Sequence, residues 1–174
     1  MNSDSILSAA VELAAELYEQ TDFTDPIGRT GHSLGLDWLL AYEAKQDVVA
    51  VRYWNTVSQE ATDVPISHGS DVRDWASKNR VFCGLKKSLP FPTMFVPETS
   101  SGCVLFVPDY RNDNFWGAIG FSRPSAPTQP EREALVGFGK LLLSVIRRQE
   151  KEQAVRKQIE SYLPRLRSAV SLAL

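Results

Sequence analysis

The chain has 174 residues, 43% of them hydrophobic, which suits one domain large enough to bury a core of its own. A net charge of −2 gives no bulk attraction toward a polyanion and so implies no nucleic-acid partner. The apolar runs are only a few residues long, too short for a membrane span or a secretory leader, and no membrane partner is implied.

The segment Ser3 to Gln20 places Ile6, Ala10, Leu13 and Leu17 on one face and Glu12, Glu16 and Glu19 off it, an amphipathic helix with Ser3 or Asp4 able to cap it. Thr21 to Gly35 mixes Pro26, Gly28, Gly31 and Gly35 with polar residues and reads as a loop. Leu36–Tyr42 and Val48–Thr56 follow as two strands joined by the polar stretch from Glu43 to Asp47. Trp38, Leu40 and Tyr42 alternate with Leu39 and Ala41, so both faces of the first strand are apolar and the strand belongs in the middle of its sheet.

From Ser58 to Ser101 the periodicity fades. A short helix fits Asp71 to Arg80, carrying Val72, Trp75 and Ala76, and a short strand fits Val81 to Cys83. Beyond Gly84, Pro90, Pro92 and Pro97 interleave with Phe91, Met94, Phe95 and Val96. A stretch this long and this apolar is expected to fold over the sheet as a cover.

Gly102 to Phe121 then has the pattern of a buried hairpin: six apolar residues ending at Pro108, a turn rich in Asn and Asp, and a second strand containing Gly117 and Gly120. Both glycines are expected to make room for a helix crossing that strand. The helix follows after the turn Ser122–Thr128, started by Thr128, Pro130 and Glu131.

That final helix repeats apolar positions in steps of four and three: Ala134, Phe138, Leu141, Val145, then Arg148 and Glu152, then Val155, Ile159, Tyr162, Leu166, Ala169 and Ala173. Its first half is expected to pack on the sheet. Beyond about Arg147 it outruns the domain and wants a partner, and Pro164 is expected to kink or break it. We therefore divide the chain into a domain over residues 1–148 and a helical extension over 149–174, with Phe138, Leu141, Val145, Val155, Ile159, Tyr162 and Leu166 as candidates for a dimer interface.

Cys83 and Cys103 lie in apolar, strand-like surroundings with no paired spacing. They read as small core residues of a protein in a reducing cytoplasm. His32 and His68 have no Cys or carboxylate at ligand spacing, so no metal site is assigned.

In this order the pieces resemble a GAF sensor domain from about Ile6 to Arg148. The resemblance rests on Arg52-Tyr53-Trp54, on Leu89-Pro90, and on Ser101 to Pro108 ending in Val-Pro. Phe115-Trp116-Gly117-Ala118-Ile119-Gly120-Phe121 and the helix start Thr128-Gln129-Pro130-Glu131 followed by Leu135 complete it. It implies an α/β (α+β) fold: a central antiparallel sheet of five or six strands, N- and C-terminal helices packed on one face, and a loop-rich cover over a cavity on the other. It also implies a signal-transduction module that binds a small ligand, forms a homodimer through its terminal helices, and relays its state to an output domain beyond this chain.

Two ligand classes of the family are tested by residue. Asn112-Asp113-Asn114-Phe115 shares only fragments of the cyclic-nucleotide motif. Cys83 precedes Gly84 and Cys103 precedes Val104, where bilin attachment uses Cys followed by His. The ligand, and any cofactor, stays unknown. Among enzymes, Phe82-Cys83-Gly84 echoes the Val-Cys-Gly of free methionine sulfoxide reductases. That family's Cys-Asp upstream of the Val-Pro strand end is replaced here by Thr99-Ser100-Ser101-Gly102, so the chain is read as no enzyme.

Candidate ligand contacts are Tyr42, Trp54, Trp75, Arg80, Phe82, Phe95 and Cys103. A basic excess of Arg73, Lys78, Arg80, Lys86 and Lys87 around the cover either attracts an anion or is solvated surface. The alternative to a ligand sensor is a ligand-free dimerisation or protein-interaction domain whose cavity is plugged by Phe91, Phe95 or Trp75.

Overall fold

The chain places its most apolar strands at the centre of one antiparallel sheet and lets the two faces close over with different material. The computed structural model describes residues 3–19, 24–45, 48–56, 61–66, 70–91, 102–112 and 115–173. In chain order these form α1 (Ser3–Glu19), α2 (Thr24–Ser33), β1 (Trp38–Lys45), β2 (Val48–Asn55), β3 (Ala61–Ile66), α3 (Ser70–Ala76), β4 (Phe82–Leu85), a 3-10 turn (Lys86–Ser88), β5 (Cys103–Asn112), β6 (Phe115–Arg123) and α4 (Gln129–Ala173). The six strands lie in the order β3-β2-β1-β6-β5-β4, each pairing antiparallel. This is the α/β architecture expected from the sequence, with β1 in the interior and paired on both sides.

Strand alternation sorts the core into two layers. Leu39, Ala41, Trp54, Leu105, Val107, Ile119 and Phe121 face the helices. They pack with Ile6, Ala10, Leu13 and Leu17 of α1, Ile27 of α2, and Leu135, Phe138, Leu142, Leu143 and Ile146 of α4. Trp38, Leu40, Tyr42, Val51, Val104, Phe106, Trp116 and Ala118 face the other way, against Val72, Trp75 and Ala76 of α3 and against Phe91. Most of the cover, residues 92–100, lies outside the described residues.

Several local expectations need correction. Thr24–Ser33 is a helix and not a loop. Pro26 sits in its first turn, where no intrahelical N–H is needed. Ile27, Gly31 and Leu34 are buried along one side, and a Cβ on Gly31 would come within 2.4 Å of Leu39, so glycine here sets a close approach to the sheet. The strand β3 also escaped notice. It carries Pro65, and a proline is tolerated on this edge strand.

Pro108 lies inside β5 and not at its end, paired with Ala118. β4 stops pairing at Phe106, so beyond that point no strand among the described residues flanks that side of β5 and a missing N–H costs no ladder bond. α4 continues through Pro164 to Ala173 without a break.

The two strand glycines serve opposite faces. Three residues apart on a period of two, they cannot share one. A Cβ on Gly117 would meet the Arg147 guanidinium at 2.8 Å, whereas one on Gly120 would meet the Phe106 ring at 2.4 Å. The close approach of α4 comes from its own Gly139, whose Cβ would lie 2.7 Å from Ile119. Among the described residues no helix is long and apolar enough to cross a membrane.

Candidate functional site

The side of the sheet away from the helices ends in a cluster of aromatic rings. Phe106 is its hub, with ring centroids 5.1 Å from Phe91, 6.2 Å from Trp75 and 6.3 Å from both Trp38 and Tyr42. Phe91 closes it from above, 5.1 Å from Trp75 and 6.4 Å from Tyr42, several contacts being edge-on as ring quadrupoles favour. Gly120 behind Phe106 leaves the space that this ring occupies. The Tyr42 hydroxyl is buried here with no hydrogen-bond partner among the described residues, and burial holds its pKa well above the ordinary phenol value.

Of the ligand-contact candidates, Tyr42, Trp75 and Phe82 gather on this face. Trp54 and Cys103 do not. Trp54 pairs with Leu39 and shares its helix-side face, and Cys103 has the parity of Leu105 and Val107. Arg80 is exposed after α3, as are Lys78 and Lys87, while Arg73 pairs with its neighbour Asp74 at 3.2 Å. Phe95 lies outside the described residues. Phe106 was overlooked as a centre because a residue in a continuous apolar run gives no face signal of its own. Its alternation with Leu105 and Val107 against the two layers would have found it.

On the helix side, a second group of side chains stands at the start of α4. Cys83 Sγ and Cys103 Sγ are 3.6 Å apart across β4 and β5. Cys83 is half-buried and Cys103 is 8% exposed. Burial first, and then the hydrogen bond and charge of Cys83, push the Cys103 thiol up to about 11, so it holds its proton at neutral pH. Opposite Cys103 on β6 stands Arg123. Its Nη2 reaches Glu131 Oε1 at 3.5 Å, and its Nη1 is buried with no hydrogen-bond partner among the described residues. Glu131 Oε2 accepts from both the backbone N–H and the hydroxyl of Thr128 at 2.9 Å, the carboxylate half of a capping box, which ties down the first turn of α4.

Further along, Arg147 reaches back from α4 to the sheet. Its Nη1 pairs with the Asp109 carboxylate, and its Nη2 donates to the Asp109 carbonyl at 3.1 Å, in the gap left by Gly117. Past this anchor every described side chain from Lys151 to Ser161 is exposed, including Val155 at 55% and Ile159 at 56%. Among the dimer candidates, Phe138 is spent in the domain's own core, its ring 5.5 Å from Phe121. Leu141 and Val145 are half-buried. Tyr162 and Leu166 lie on α4, with side chains outside the described residues.

No protein-family model matches the chain, and no curated protein is found to be related. Solved structures do match. The GAF domain of a phosphoenolpyruvate-protein phosphotransferase from Coxiella burnetii superposes with a TM-score of 0.63 at 11% identity, covering 88% of this chain and 99% of that one. The corresponding Acinetobacter domain gives 0.58 at 13%, with 83% and 94% covered. The free methionine-R-sulfoxide reductase of Neisseria meningitidis, solved with its substrate, gives 0.55 at 14%, with 83% and 89% covered. The fold is therefore GAF-like. The reading of the chain as no enzyme does not stand: the reductase performs its reaction on this same scaffold, so the fold is no ground for excluding catalysis.

Proposed function

We propose that the chain is a relay module of GAF-like fold that pairs with a second copy through its terminal helices, so that α4 carries the state of residues 1–148 into residues 149–174. The observation that carries this reading is the exposed apolar pair Val155 and Ile159, more than half open to solvent and one turn apart on a helix whose first half packs on the sheet. Completing the burial of each contributes about 1–2 kcal/mol, which no contact among the described residues of their own chain supplies. Leu141 and Val145 continue the same seam back to the domain. Leu7 and Val11, 50% and 68% exposed one turn apart on α1, add a second apolar pair on the other terminal helix. The setting we assign is the cytoplasm, where thiols at rest are held reduced and any disulfide is transient.

The test is sedimentation of the wild type and Ile159→Glu at matched concentration. The wild type should run as a dimer and the variant as a monomer, because a carboxylate in a paired apolar seam is left desolvated. Equal masses for the two would remove Ile159 from any interface and with it this reading.

A second reading, a sensor for a small ligand, is supported by Tyr42. A buried hydroxyl without a partner costs about 1–3 kcal/mol, which a ligand offering an acceptor would offset. Against it stands Phe91, which already fills the space over Tyr42.

A further inference from the structure

We propose that Cys83 and Cys103 form a reversible redox site, oxidised by a hydroperoxide to a disulfide that ties β4 to β5. Two thiols 3.6 Å apart need only about 1.5 Å more to reach an S–S bond of roughly 2.05 Å. Cys83 pairs in register with Leu105, so Cys103 is its diagonal neighbour, two residues away on the same face. Diagonal positions across a sheet lie about 7–8 Å apart, at the outer limit for bridging, so one strand must give. β4 can: it has four residues, is the edge of the sheet, and is paired on one side only.

Arg123 is the second observation. Glu131 takes only one side of this guanidinium, and a buried Nη1 without a partner among the described residues is unfavourable until an anion forms beside it. The anions available beside Cys103 are a thiolate and a sulfenate. The pull of Arg123 on Cys103 already runs toward the ionised form, although burial outweighs it in the resting protein. Exposure assigns the order of events. Cys83, the more accessible sulfur, meets the oxidant, and Cys103 resolves it.

The chemistry balances with hydrogen peroxide as the oxidant. The sulfur of Cys83 gives up its proton and attacks one peroxide oxygen. The O–O bond breaks, one water leaves, and Cys83 becomes a sulfenic acid. Cys103 then attacks the Cys83 sulfur, the S–O bond breaks, and hydroxide leaves with the Cys103 proton as a second water. Two thiols have lost two electrons, and one peroxide has become two waters. Two equivalents of a small thiol reverse the change by exchange. The site adjoins the Arg123–Glu131 pair, so the strand shift is felt at the cap of α4.

The test uses the full-length chain, reduced and freed of thiol, exposed to hydrogen peroxide, then denatured and alkylated. The mass should fall by two hydrogens. Both cysteines should resist alkylation, and a linked peptide should join Cys83 to Cys103 within one chain and be cleaved by phosphine. Cys103→Ser should stop at a sulfenic acid on Cys83, trapped by dimedone. Cys83→Ser should leave Cys103 at least about tenfold slower to oxidise, as expected of a buried, protonated thiol. The proposal is overturned by oxygen added to Cys83 in the wild type without a link, by links only between chains, by unreacted thiols, or by Cys103 oxidising as fast in Cys83→Ser as in the wild type.

Discussion

Glu131 shows how one carboxylate organises the start of the longest helix. It accepts two hydrogen bonds from Thr128 and faces Arg123, and these, the backbone bond first, hold its pKa below the ordinary 4.5. A depressed folded value means that the unfolded chain takes up the proton first as the pH falls. The contribution is complete above the ordinary value and is lost on the way down through the folded one. Replacing Glu131 by Gln keeps the shape and one acceptor but removes the charge. We expect the variant to unfold at lower urea than the wild type at neutral pH, with the gap closing as the pH drops below 4.5. Urea midpoints for both chains from pH 7 to pH 3 would check this, and a gap that ignores pH would reassign the role of Glu131 to shape alone.

Between elements, the contact that fixes α4 to the sheet at its exit is Arg147 on Asp109. It ties α4 to β5 at the point where the helix leaves the sheet. Arg147 is 6% exposed, and its removal leaves the Asp109 carboxylate half-sheltered and unpaired. Breaking a buried pair costs about 3–5 kcal/mol. Because a third of Asp109 meets water, we expect Arg147→Met to cost roughly 2–3 kcal/mol. Asp109→Asn in the same chain should recover part of it. A double-mutant cycle by chemical denaturation reads the coupling, and strictly additive losses would deny that the pair acts as a unit.

The same scale shows what the sequence made legible. β1, β5 and β6 were readable because each has long apolar or alternating runs, and α1 because its four core residues recur at helical spacing. α2 was hidden by three helix-weakening residues, Pro26, Gly28 and Gly31, of which Gly31 is there to let the sheet approach. β3 was hidden because an edge strand with Pro65 owes its existence to pairing with β2, which no local pattern records. The candidate site was read less well. Tyr42, Trp75 and Phe82 were brought together, but Trp54 and Cys103 were assigned without regard to strand parity, and parity sends them to the other face. The proximity of Cys83 and Cys103 depends on the β4–β5 register, which spacing along the chain does not give.

For the molecule as a whole, the sheet separates two kinds of interior. The helix side holds the ionic and thiol chemistry beside α4, and the opposite side is a packed set of aromatic rings around one unsatisfied hydroxyl. Whether the aromatic side holds a ligand can be decided at Tyr42. If the rings close on themselves, Tyr42→Phe removes a buried polar atom that makes no bond and should stabilise the chain by about 1 kcal/mol. The freshly purified wild type should then show the bare polypeptide mass under native ionisation. If a small molecule is held there, the wild type should carry extra mass, and Tyr42→Phe should shed it and lose stability instead. We expect the first result, because Phe91, Trp75 and Phe106 already occupy the space around Tyr42 and a ligand would have to displace a ring that is 5% exposed. Retained mass lost on Tyr42→Phe would favour the ligand-sensor reading over the proposed pairing of helices.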